Sequence, residues 1–173
     1  TGSTAAETFV YSLGADSIAG GATGTDTLDF GADTTRAITG SDTSTGAVVN
    51  LSGSTITDAT VYANMTNYTG NSADVAAGTV AHIFAANKTT NSTQVTSVDG
   101  IENVVGGDGV DYIVGSAVAN DLNGGGAADY ISGGDGDDTI TGGGGDDTLL
   151  GGNGSDTFVL AATTNDTIKE FVS

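Results

Sequence analysis

The chain has 173 residues, enough for one ordinary domain, and carries 22 acidic residues against 3 basic ones, a formal net charge of −19. That balance excludes nucleic acid as a partner, because a phosphate backbone needs Lys and Arg to neutralise it, and it disfavours anionic membrane surfaces. Without cysteine there are no disulfides, thiolate metal sites or cysteine nucleophiles, and no apolar run is long enough for membrane insertion, so the composition favours a hard, oxygen-seeking cation.

Residues 1–30 read as imperfect copies of a nine-residue unit. Residues 2–10 are GSTAAETFV, followed by YSLGADSIA with Asp16 and Ile18, and then, after one extra glycine, by GATGTDTLD with Asp26 and Leu28. No basic stretch precedes an apolar run here, so no signal peptide of the common type is expected, and a chain opening at Thr1 reads as a piece of something longer. Residues 31–96 do not repeat and are rich in Thr, Asn, Ser and Ala. Strands are expected over residues 47–51, 60–62 and 79–84, within an irregular β-rich insertion flanking the repeats.

Residues 97–159 divide without a gap into SVDGIENVV, GGDGVDYIV, GSAVANDLN, GGGAADYIS, GGDGDDTIT, GGGGDDTLL and GGNGSDTFV. Position six holds Glu102, Asp111, Asn120, Asp129, Asp138, Asp147 and Asp156, and position eight holds Val104, Ile113, Leu122, Ile131, Ile140, Leu149 and Phe158. Seven apolar residues in one column arise by chance roughly once in a thousand. Residues 160–173 close the array or link it to a following module.

The repeat has a direct physical reading. Positions one to six form a glycine-rich turn, and positions seven to nine form a short strand with position eight inward and its neighbours outward. One unit cannot bury its own apolar side chain, but stacked units bury a continuous column, as in a solenoid. Stacked strands lie about 4.8 Å apart, and carboxylates at that spacing repel by about 1 kcal/mol in water and roughly three to four at an effective dielectric near 20. Twelve acidic residues fall between residues 97 and 159, while Arg36, Lys88 and Lys169 all lie outside. The stack therefore requires a bound cation. Carboxylates and glycine-turn carbonyls offer it an all-oxygen shell suited to Ca²⁺.

The stretch GGDGDDTITGGGGDDTLLGGNGSDTFV resembles the GGxGxDxUx nonapeptide of the RTX calcium-binding family, and the likeness is close over about the last 80 residues. It implies an all-β fold, a parallel β-roll in which two nonapeptides make one coil and calcium lies between repeats n and n+2, in two rows. One row would carry Asp111, Asp129 and Asp147, the other Glu102, Asn120, Asp138 and Asp156. The Asn120–Asp138 pair has one charge fewer and is expected to bind more weakly. The Glu102–Asn120 pair departs furthest from the pattern and is expected to stay empty. In the family, turn carbonyls complete the shell, which points to Gly107, Gly109, Gly125, Ala127, Gly134, Gly136, Gly143, Gly145, Gly152 and Gly154. Asp16 and Asp26 suggest a further site, and about 4 to 6 ions are expected in all. Val49-Asn50-Leu51 and the later Gly100-Ile101-Glu102-Asn103-Val104 also follow the family's order, with a long insertion between them.

Other features have plainer readings. His82, the one histidine, sits in an apolar strand pattern with no serine in a nucleophile elbow nearby. The acid pairs Asp137-Asp138 and Asp146-Asp147 recur at the repeat period, so they do not single out glycosidase carboxylates. Tyr112 and Tyr130 share a face and read as a cross-strand pair. The N-x-S/T matches at Asn50, Asn64, Asn67, Asn87 and Asn91 are expected by chance in so Asn- and Thr-rich a chain. The expected function is a non-catalytic, calcium-binding structural module of a secreted or cell-surface protein of adhesin or S-layer type. By resemblance it would be exported by type I secretion in Gram-negative bacteria, with neighbouring modules or a surface lattice as partners. The main alternative is the accessory domain of a secreted protease, lipase or epimerase. Ice binding is disfavoured, since Thr-Gly-Thr-Asp occurs once, at residues 23–26.

Overall fold

Glycine at the start of each nonapeptide turns the chain, and the three residues at its end run straight. The computed structural model describes residues 5–10, 17–21, 24–30, 46–54, 79–83, 96–169 and 171–172. In chain order the strands are β1 (Thr8–Val10), β2 (Ser17–Ala19), β3 (Thr27–Asp29), β4 (Gly46–Asn50), β5 (Thr79–Ile83), β6 (Thr96–Asp99), β7 (Asn103–Gly107) and β8 (Tyr112–Val114). They continue with β9 (Asp121–Gly125), β10 (Tyr130–Asp135), β11 (Thr139–Gly143), β12 (Thr148–Asn153), β13 (Thr157–Val159), β14 (Thr167–Ile168) and β15 (Phe171–Val172), and there is no helix among the described residues.

Two sheets face each other. The first runs β1-β3-β7-β9-β11-β13, with every pairing parallel. The second runs β2-β6-β5-β4-β8-β10-β12-β14, with β15 also pairing to β12. Register is fixed by the apolar column: Val104 aligns with Leu122 and Leu122 with Ile140, and across the coil Ile113 aligns with Ile131 and Ile131 with Leu149. Partners lie two nonapeptides apart, so each coil contributes one strand to each sheet and the chain winds as a β-solenoid, a parallel β-roll.

The position-eight column is the core. Leu28, Val104, Leu122 and Ile140 from the first sheet meet Val49, Ile113, Ile131 and Leu149 from the second, all fully buried, with Phe9, Ile18 and Phe158 partly buried against them. Each such side chain contributes about 1.5–3 kcal/mol on burial. Because only a stacked neighbour supplies that burial, the coils stabilise one another in series.

The described part of the insertion does more than flank the roll. β4 pairs parallel with β8 and places Val49 in the core column, while β6 pairs parallel with β2. β5 runs between β4 and β6, antiparallel to both. The first sheet closes over the insertion directly, with Thr27 beside Asn103 and Leu28 beside Val104. The strands β1 to β3 and the repeats of residues 97–159 are therefore one continuous stack. The strand expected over residues 60–62 falls outside the described residues.

Outward positions are less uniform than the period suggests. Val48, Tyr112 and Tyr130 align on the outer face of the second sheet, and all three are buried rather than exposed. The two rings stack at a centroid separation of 4.5 Å and an interplanar angle of 7°, the cross-strand pair expected from their spacing. Three consecutive apolar rungs make an outer stripe, so position seven here follows local composition and not the period.

Candidate metal centre

Position six lies immediately before each strand, where the turn ends and the ladder begins. Before the first sheet's strands stand Glu7, Asp26, Glu102, Asn120, Asp138 and Asp156; before β8, β10, β12 and β14 stand Asp111, Asp129, Asp147 and Asp166. In both rows the amide of one coil donates to the side-chain oxygen of the next. The Asp111 N–H donates to Asp129 Oδ1 (2.7 Å), Asp129 to Asp147 Oδ1 (2.8 Å) and Asp147 to Asp166 Oδ1 (3.1 Å). On the other row Glu7 donates to Asp26 Oδ1 (2.8 Å), Asp26 to Glu102 Oε2 (2.8 Å), Asn120 to Asp138 Oδ1 (2.8 Å) and Asp138 to Asp156 Oδ1 (3.1 Å). The side chains are thereby aimed inward along the turn, and Asp26, Asp111, Asp129, Asp138 and Asp147 are almost completely buried.

That leaves each carboxylate a second oxygen. Oδ2 of Asp129, Asp138 and Asp147 is buried with no hydrogen-bond partner, an arrangement that costs several kcal/mol unless the charge is neutralised or coordinated. These oxygens point at position-one glycines. A Cβ on Gly124 would collide with Asp129 Oδ2 and the Gly142 carbonyl oxygen, and one on Gly133 with Asp138 Oδ2 and the Gly151 carbonyl oxygen. A Cβ on Gly142 would strike Asp147 Oδ2, and one on Gly106 would strike Asp111 Oδ2 and the Gly124 carbonyl oxygen. So the missing side chain at position one opens a small all-oxygen cradle shared by two stacked turns.

The electrostatics agree. Burial first, and the neighbouring Asp111 charge second, push the Asp129 carboxyl up to about 9 from an ordinary 3.8, against the pull of the Asp111 amide bond. Burial raises Asp138 to about 6, opposed by the Asn120 amide and reinforced by the Asp156 charge. Asp147 is raised too, again by burial. Carboxyls whose ionisation burial disfavours, with unpaired inward oxygens, fit a hard divalent cation. Among the described residues no three acidic or histidine side chains converge, so such a cation takes its remaining ligands from main-chain oxygen.

The predicted residues are brought together unequally. Asp111, Asp129, Asp138, Asp147 and Asp156 line the two rows as expected, and Asp26 joins the second; Asp16 lies outside the described residues. Asn120 is fully engaged by protein: Oδ1 accepts from Ser116 N–H (2.8 Å) and Oγ (3.2 Å), while Nδ2 donates to the Glu102 carbonyl (2.7 Å) and Ser116 Oγ (3.2 Å). Its amide thus ties coils 102 and 120 together by a direct hydrogen bond. Glu102, the odd member of the sequence pattern, reaches Asp26 with its longer side chain and keeps the row unbroken.

The turn glycines form columns of their own. Gly107, Gly125 and Gly143 stack, as do Gly134 and Gly152, Ala127 and Gly145, and Gly136 and Gly154, while Gly109 is buried in its turn. The carbonyls of Gly107 and Gly125 already accept from the amides of Gly126 (2.7 Å) and Gly144 (2.8 Å). Gly125 has φ +104°, and a Cβ there would meet the Gly107 carbonyl oxygen, so only glycine fits.

Three features escaped the sequence reading. The carbonyls that share these cradles with the Oδ2 atoms belong to position one, at Gly124, Gly142 and Gly151. Asp166 continues the Asp111–Asp129–Asp147 row; its Asn165-Asp166-Thr167-Ile168 copy of Asp-Asp-Thr-Ile was hidden by one inserted residue. Position five, read as merely solvated, also ties coils: Asp137 Oδ1 accepts from Ser155 N–H (2.8 Å) and Asp146 Oδ1 from Asn165 N–H (3.0 Å). The Asn50 sequon is structural, since Asn50 is buried and its Nδ2 donates to the Ser54 carbonyl (2.8 Å).

This parallel solenoid, with acidic ladders buried between glycine turns, is a β-roll whose all-oxygen cradles fit cations. Residues 123–158 match the family model of the RTX calcium-binding nonapeptide repeat, in four copies, and this segment is therefore a calcium-binding RTX array. A comparison with curated proteins finds no match.

Proposed function

We propose that the chain is a non-catalytic structural module of a secreted or cell-surface bacterial protein, of adhesin or S-layer type, that folds when it meets calcium outside the cell. The observation that carries this is the set of buried, unpartnered Oδ2 atoms on Asp129, Asp138 and Asp147. A chain with such a core is poorly stable at low calcium and becomes ordered where calcium is plentiful. When bound, Ca²⁺ supplies the positive charge that the acidic ladders lack. The chain's own part is to place the carboxylate and carbonyl oxygens of stacked turns within reach of one cradle. Because an unfolded chain has no preformed cradle, binding free energy is folding free energy. With extracellular-type affinities, each ion contributes about 0.4 to 1.4 kcal/mol at roughly 1 mM calcium.

The test is circular dichroism of the chain in EDTA and after calcium is restored. The β signal of the repeat block should be largely lost in EDTA and recovered in calcium. A spectrum indifferent to both would rule the reading out.

A further inference from the structure

We propose that the middle of the roll, the coils of β4, β7, β8 and β9, is a nucleus that stays wound without calcium, and that loss of the ion unwinds the coils from β10 onward. This rests on the calcium reading above and assigns where the dependence on the ion begins.

Two buried polar side chains in these coils, Asn50 and Asn120, are amides and not carboxylates. A Cβ on Gly115 would meet Asn120 Oδ1 and the Gly133 carbonyl oxygen, the same cradle that Gly124 and Gly133 form with an aspartate Oδ2. Here the oxygen is uncharged and accepts from Ser116 N–H (2.8 Å) and Oγ (3.2 Å). Nδ2 donates to the Glu102 carbonyl of the coil before it (2.7 Å). Asn50, at the end of β4, repeats the arrangement. Its Oδ1 accepts from Ser52 N–H (3.1 Å) and Oγ (2.6 Å), and its Nδ2 donates to the Ser54 carbonyl (2.8 Å). A neutral oxygen with both lone pairs engaged needs no cation to offset its burial.

The acidic rows thin out over the same coils. Val48 aligns with Tyr112, so the place that Asp111 holds before β8 is held by Ala47 before β4. Asp111 is then the first acid of its row, and its like-charged neighbour, Asp129, stands before β10. Along the other row, Asn120 leaves one charge out between Glu102 and Asp138. Repulsion between stacked carboxylates therefore sets in where β10 and β11 join the roll.

Apolar contact is strongest in the middle as well. Val49 and Ile113 fill the inner column while Val48 and Tyr112 are buried on the outer face, so β4 and β8 are held from both sides. The outward positions seven and nine of β11, β12 and β13 are not buried. Since β4 belongs to the non-repeating insertion, the insertion supplies part of the nucleus. In a solenoid each coil forms on its neighbour, so coils that stay wound fix the register for those that rewind when calcium returns.

The experiment is hydrogen exchange read by mass spectrometry on the full chain in calcium and in EDTA, with circular dichroism on the same samples. In EDTA, residues 46–50 and 103–125, which span β4 and β7 to β9, should exchange more slowly than residues 130–159, which span β10 to β13. The difference should be at least about tenfold, the effect of one or two hydrogen bonds. Asn120→Asp, which puts the acid of the other repeats at this position, should fold in calcium with the parent's spectrum and lose the protection of residues 103–125 in EDTA. Ser116→Ala, which removes only the hydroxyl partner, should lose part of that protection and leave the calcium-bound spectrum intact. Uniform exchange along the chain in EDTA overturns the nucleus and leaves the calcium reading standing. Protection in EDTA that Asn120→Asp does not change overturns it too. Residues 130–159 as protected in EDTA as in calcium would sink both readings.

Discussion

Ala127 occupies position four of its repeat, where the following repeats place Gly136, Gly145 and Gly154, all at positive φ. Its own φ is 67°, the one positive value among non-glycine residues described. A β-carbon in that region costs about 1–2 kcal/mol, while glycine in the unfolded chain gives back about half of it. Ala127→Gly should therefore raise stability in calcium by roughly 0.5–1 kcal/mol, read from denaturant midpoints. Asn120 makes the opposite case. Asn120→Asp removes the Nδ2 bonds to the Glu102 carbonyl and Ser116 Oγ and sets a carboxylate beside Asp138. The calcium titration of folding should become steeper and calorimetric stoichiometry should rise by one ion. An unchanged stoichiometry would mean that the Asn120 rung already holds calcium.

The strands, their register and their core column were readable from a period of nine and an apolar position eight. So was the Asp111–Asp129–Asp147 row, because a side chain's place in a solenoid depends only on its place in the repeat. Features set by contacts across rungs were not readable. The burial of Val48, Tyr112 and Tyr130 depends on an insertion strand landing beside β8, and no repeat encodes that landing. Asp166 is displaced by one residue, and position-one carbonyls carry no side chain to notice. The rows also make a prediction about sign. Asp129→Asn keeps the bond from the Asp111 amide but removes a charge that burial and Asp111 disfavour. In EDTA the variant should retain more β structure than the parent; in calcium it should need more of the ion to fold. By the same logic Asp129→Ala should weaken calcium-dependent folding more than Asn120→Ala. Equal losses would contradict the ranking of the rungs.

For the whole molecule, the raised carboxyls link stability to pH. Folded Asp129 titrates near 9 and folded Asp138 near 6, against 3.8 for the ordinary group. Between 3.8 and those values the native state holds more protons than the unfolded chain, so without calcium stability falls as pH rises through the window. The EDTA-treated chain should gain β signal on acidification toward 3.8. Calcium competes with protons for the same oxygens, so the folded chain's affinity for calcium should weaken as pH drops, read by titration of the ion into folded protein; an affinity independent of pH would show that protons and calcium use different groups.

The seam between β3 and β7 carries its own consequence. Ordinary rungs join residues 18 apart, whereas Asp26 and Glu102 are 76 apart yet bond just as closely. Lengthening the loop about fourfold adds only about 1.2 kcal/mol of closure entropy, less than one buried leucine contributes. The seam is thus tolerant of distance: with β4, β5, β6 and Glu102 kept in place, doubling the length of chain between β3 and β7 should cost only about 0.6 kcal/mol, and the rungs on either side should still find each other.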